Sequence, residues 1–173
     1  MKNLSGRLLA LAITVALVLV AVPGFAAVTH TGAGVAKITV ITETNAQTTS
    51  STSYVPLPGA TATITVPALK TQLVNVRFSA ESYCFGSTSL SFNWCSVAVF
   101  ADGVEMLPNS NFDFAFDANG NADDAWEGHA MERTAVLGPG THTISLQWAV
   151  TNAGVTFRLD DWTMAITQYS NGH

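Results

Sequence analysis

The chain has 173 residues but only two cysteines, seven basic residues and four histidines. Each scarcity removes a class of function. With so few positive charges and no basic cluster, there is no footprint for nucleic acid or for an anionic membrane surface. His30, His129, His142 and His173 are scattered, so no His-x-x-x-His spacing offers a zinc site. No Gly-x-Ser-x-Gly elbow promotes one of the many serines to nucleophile. No stretch shows a convincing helical period, which argues against a helical domain.

What the chain does have begins with an export signal. Lys2 and Arg7 precede an apolar run from Leu8 to Val22 that only Thr14 interrupts, and Pro23-Gly24-Phe25-Ala26-Ala27 follows. Basic start, short apolar stretch and small residues at the cut are the layout of a secretory signal peptide. Cleavage is expected after Ala26, with Ala27 as second choice. A retained anchor is the alternative, but the run falls short of the roughly 20 residues that span a bilayer, and no other stretch could do so. The expected address is secreted, periplasmic or cell-surface. Removing the signal leaves Lys37, Lys70, Arg77, Arg133 and Arg158 against twelve acidic residues, a net charge of −7.

In an exported chain, Cys84 and Cys95 read as a disulfide. Its loop of about a dozen residues should stabilise the fold by roughly 3 kcal/mol. The spacing is too short for the inter-sheet bridge of antibody-type domains, so it is expected to pin a loop or hairpin, with Trp94 beneath it.

After a loose start and a strand at 37–42, Glu43 to Ser53 is Thr/Ser-rich and reads as a linker or exposed loop, or as a spacer or glycosylated stalk. From Tyr54 the pattern is all-β. Val74, Val76 and Phe78 alternate with Asn75 and Arg77, Ile144, Leu146, Trp148 and Val150 with Thr143, Ser145 and Gln147, and Phe157 and Leu159 with Arg158 and Asp160. Asp102-Gly103 is a hairpin turn signal. The expected organisation is a signal at 1–26, an N-terminal strand and Thr/Ser-rich segment at 27–53, a β-sandwich at 54–168 and a tail at 169–173. An antiparallel two-sheet jelly roll is the first choice and an immunoglobulin-like sandwich the second.

The stretches Phe78 to Cys84, Trp94 to Val97, Gly138 to Thr143 and Phe157 to Trp162 together resemble exported bacterial β-sandwich proteins with a single disulfide and no assigned activity. The resemblance covers most of Tyr54 to Thr167. It implies a bacterial origin and one compact domain, and it carries over no catalytic residue.

Site candidates concentrate between Asp117 and His129. Asp117, Asn119, Asn121 and Asp123 place oxygen ligands at alternate positions, as a loop curling round calcium would. Ala122 and Gly128 fall where an EF-hand needs glycine and glutamate, so that motif is excluded, and a solvated Asn-Gly turn is the competing account. Trp126, beside Asp124, Glu127 and His129, is the tryptophan expected at the surface, where an aromatic platform among polar groups can hold a sugar ring. Glu127 and His129 share a strand face while Glu132 points away, which spoils a three-ligand metal site. Asp160 and Asp161 suggest a glycosidase, but adjacent strand residues diverge unless a bulge intervenes, and a salt bridge to arginine is the preferred account.

Three functions follow in order. The first is a non-catalytic extracellular binding or adhesion module, with carbohydrate or another cell-surface ligand as partner. The second is a structural or surface-assembly protein that associates through strand edges. The third is a small secreted hydrolase using Asp160, Asp161, Glu127 or His129. Calcium is the one cofactor the pattern suggests.

Overall fold

A computed structural model describes residues 29–86, 93–110, 114–119 and 125–172. The expected signal peptide lies outside these residues, as do Asn121, Asp123 and Asp124. The described strands are β1 (Val35–Glu43), β2 (Gln47–Thr49), β3 (Val55–Val66), β4 (Gln72–Phe85), β5 (Asn93–Ala101), β6 (Val104–Glu105), β7 (Asp117–Asn119), β8 (Glu127–Leu137), β9 (Gly140–Val150) and β10 (Thr156–Ser170).

They form two antiparallel sheets. The first has the order β1-β10-β4-β8, with β2 also on β10; the second has β3-β9-β5-β6, with β7 on β5. Successive long strands mostly switch sheets, which is the jelly-roll path and excludes the immunoglobulin-like order.

β4 shows why the sheets close on one another. From Gln72 to Cys84 every second residue is buried, so one pleated face is removed from water while the other stays partly exposed. Its Phe78 meets Trp162 of β10 at 6.1 Å between ring centroids, and Trp148 of β9 meets Phe157 of β10 at 5.7 Å. The first pair packs neighbouring strands of one sheet, and the second joins the two layers. The inward residues predicted on β9 and β10 are buried, including Trp148 and Trp162.

Four expectations change. The Thr/Ser-rich segment contains β2, whose Thr48 faces Arg158, and Ser51 accepts a hydrogen bond from the Val150 amide. β-branched threonines suit a half-exposed edge, and here they extend the sheet. β1 pairs along β10 from Val35 to Glu43, so the sandwich begins before residue 54. The Cys84–Cys95 disulfide joins β4 to β5, and hence one sheet to the other. Short spacing does not prevent this, because the chain changes sheets between the two cysteines. Trp94, next to inward Cys95 on a strand, points the other way and is half-buried rather than beneath the disulfide.

The Asp102-Gly103 turn is as predicted, with both φ values positive at 51° and 82°, the geometry of a two-residue hairpin. Pro56 and Pro58 fit in β3 because it is an edge strand, and the chain bulges between Pro56 and Thr61.

Candidate functional site

The outer face of the first sheet carries an aromatic cluster. Residues directly opposite on antiparallel strands share a face, and Tyr83 pairs with Arg158, Phe85 with Thr156 and Glu81 with Asp160. Tyr83 and Phe85 stack at 4.5 Å with 15° between their planes. Trp126, just ahead of β8, leans on Tyr83 at 5.4 Å and remains 42% exposed. The Arg158 guanidinium lies 4.6 Å from the centroid of that indole and donates to Asp160 at 3.2 Å. The salt bridge foreseen for this region exists, but within β10 rather than between strands.

A bulge brings the two aspartates together. Asp160 pairs with Glu81 and Thr163 with Ser79, so β10 has one residue more than β4 in between. Asp161 takes up the difference at φ 43°. The alternation is reset there, with Leu159 and Trp162 both buried and the two carboxylates between them.

On the inward side of β4 lies a polar tie. Ser82, fully buried, donates to Asp117 at 2.7 Å, and its oxygen lies 2.8 Å from His129 Nδ1. His129 Nε2 is 3.3 Å from Glu127. One serine proton cannot serve two acceptors, so Nδ1–H must donate to the serine oxygen. The second oxygen of Asp117 accepts from the Ala118 amide. The tie joins β4, β7 and β8 across the sandwich beside the disulfide.

The sequence-predicted residues therefore divide. Glu127 and His129 do share a face, with Glu132 on the opposite one, and Trp126 is exposed. Asp117 is buried, where an exposed turn was expected, because Ser82 and the Ala118 amide satisfy its oxygens. Asn119 ends β7 opposite Asn93. The other proposed calcium ligands, Asn121 and Asp123, and the proposed ligand contact Asp124 lie outside the described residues. Among the described residues no group of three or more histidine, cysteine or acidic side chains is placed to hold a metal. Tyr83, Phe85 and Arg158 were missed. Their signal was the set Glu81, Tyr83 and Phe85, which alternates with buried Ser82 and Cys84 and puts two aromatics on a solvent face.

A concavity of about 570 Å³ lies between the β5–β6 hairpin and the edge of β8, with His30, Met106, Leu137 and His142 in its walls. His142 Nδ1 is 2.7 Å from Asp102, and its Nε2 is 2.9 Å from the Gly138 carbonyl. The hydrogen bond to Asp102 raises the pKa of His142 above its ordinary value. The Thr143 amide and then His142 hold Asp102 below the ordinary carboxylate value. His142 is thus held at both nitrogens and locks the turn rather than standing as a free base.

No helix among the described residues is long and apolar enough to cross a membrane. The chain matches no protein-family model and no curated protein. Among solved structures it is similar to dimeric latent PorU from Porphyromonas gingivalis, with 15% identity and a TM-score of 0.34, over 81% of this chain and 14% of that one.

Proposed function

We propose that this is an exported, non-catalytic binding module that holds carbohydrate on the outer face of its first sheet. The observation that carries the reading is the cluster of Tyr83, Phe85 and Trp126, with Arg158 and Asp160 at its margin. Apolar sugar faces stack on such rings, and a neighbouring cation and carboxylate can take the hydroxyls. Because the cluster lies on a sheet face rather than in a closed pocket, it suits an internal stretch of a polysaccharide better than a chain end. The disulfide and the N-terminal export pattern support an oxidising compartment.

The serine of the polar tie does not favour a hydrolase. Ser82 has no exposed area, and its proton is committed to a carboxylate. A glycan array on the purified protein, followed by titration of Trp126→Ala and Tyr83→Ala, tests the reading. Binding by the parent that each substitution abolishes is the expected result. No glycan bound, or binding indifferent to both changes, rejects it.

A further inference from the structure

Sheet edges are templates for pairing, and proteins usually blunt them. Three of the four edges here are blunted. β3 carries Pro56, Pro58 and a bulge, β6 has two residues, and β8 is bridged at Thr134 by Leu107, whose amide and carbonyl both bond to it. β1 is the exception. It is nine residues long, and among the described residues nothing pairs with its free side. Its centre, Ile38-Thr39-Val40-Ile41-Thr42, contains no charge, proline or glycine. Ile38 and Val40 are 58% and 55% exposed.

We propose that β1 pairs antiparallel with β1 of a second copy of this chain, about a two-fold axis at Val40. The sequence is self-complementary in that register. Val40 meets Val40, Ile38 meets Thr42, and Lys37 meets Glu43 at both ends. Facing opposite charges across strands favour the pairing. The Lys37 side chain is exposed and makes no hydrogen bond or ion pair among the described residues. Glu43 is set in place by one oxygen, Oε1, which accepts from the Thr44 and Asn45 amides and the Asn45 side chain, leaving Oε2 for a partner. A shift of two residues separates the charges, so they fix the register as well as the partner. The result is a closed two-fold dimer.

The test is light scattering and sedimentation of the exported protein without ligand, which keeps it independent of the carbohydrate reading. The parent should approach twice the monomer mass as concentration rises. Val40→Lys and Lys37→Glu should remain monomeric, each with the parent's circular dichroism and, at concentrations where the parent is itself monomeric, its melting curve. The double variant Lys37→Glu/Glu43→Lys should recover the dimer. A parent that is monomeric at every concentration overturns the proposal, including the case in which residues before Thr29 cover β1 of the same chain. A dimer indifferent to these substitutions, or open-ended association, also overturns it.

Discussion

Arg158 lies over the Trp126 indole while its Nη2 donates to Asp160 on the same strand face. Trp126 is thereby ordered at the surface by a cation whose own position a carboxylate fixes. Arg158→Ala should lower glycan affinity about 2- to 30-fold, the range that a cation–π contact supplies. Near-ultraviolet circular dichroism should lose part of its tryptophan signal in the same variant. Unchanged affinity with a changed spectrum would separate ordering of the indole from binding.

The disulfide links cysteines 11 positions apart in sequence on strands of different sheets. Cys84→Ala/Cys95→Ala should lose about 3 kcal/mol in urea unfolding. A loss within 0.5 kcal/mol would mean that the denatured chain is already compact there.

His142 and Asp102 make stability depend on pH in a defined window. The raised His142 value stabilises the fold fully below its ordinary 6.5, and that contribution fades as pH rises through the folded value. The lowered Asp102 value stabilises above its ordinary 3.8 and fades as pH falls through the folded value. Melting temperatures of the parent and Asp102→Asn should differ most between about pH 4 and 6.5, converge as pH falls, and narrow as pH rises to the part that the Thr143 amide maintains. Asparagine tolerates the turn's positive φ and can still accept from Thr143, so the substitution isolates the charge. A difference that does not vary with pH would refute the linkage.

Ser82→Ala would strand the Asp117 carboxylate and the His129 proton. We expect a loss of about 1–3 kcal/mol in chemical unfolding, with glycan binding unchanged. Lost binding at full stability would instead place Ser82 at the ligand.

The sandwich and its inward faces were legible because they rest on period-2 alternation, which β4 and β9 follow closely. Alternation cannot show which sheet a strand joins. The disulfide was therefore assigned to a local loop although it spans both layers, and β2 was read as linker because threonine suits strand and loop alike. At the site, Trp126 was identified as a lone surface aromatic among acidic residues. Its neighbours Tyr83 and Arg158 lie 43 and 32 positions away in sequence, and only the pairing of β4 with β10 makes them one cluster. Asp117 misled because an aspartate beside Asn-Gly looks solvated, and nothing local announces that Ser82 will bury it.

One strand, β10, bears Arg158 on its outer face near one end and pairs with β1 along the rest of its length. Two sheets joined antiparallel through β1 keep their outer faces on the same side, so both aromatic clusters would address one surface together. A second contact would then form at the effective concentration set by the first, which can raise avidity 10²- to 10⁴-fold without any new contact. Weak single sites would be sufficient for a protein that grips a repetitive surface, and grip would respond to protein concentration more steeply than the affinity of either site.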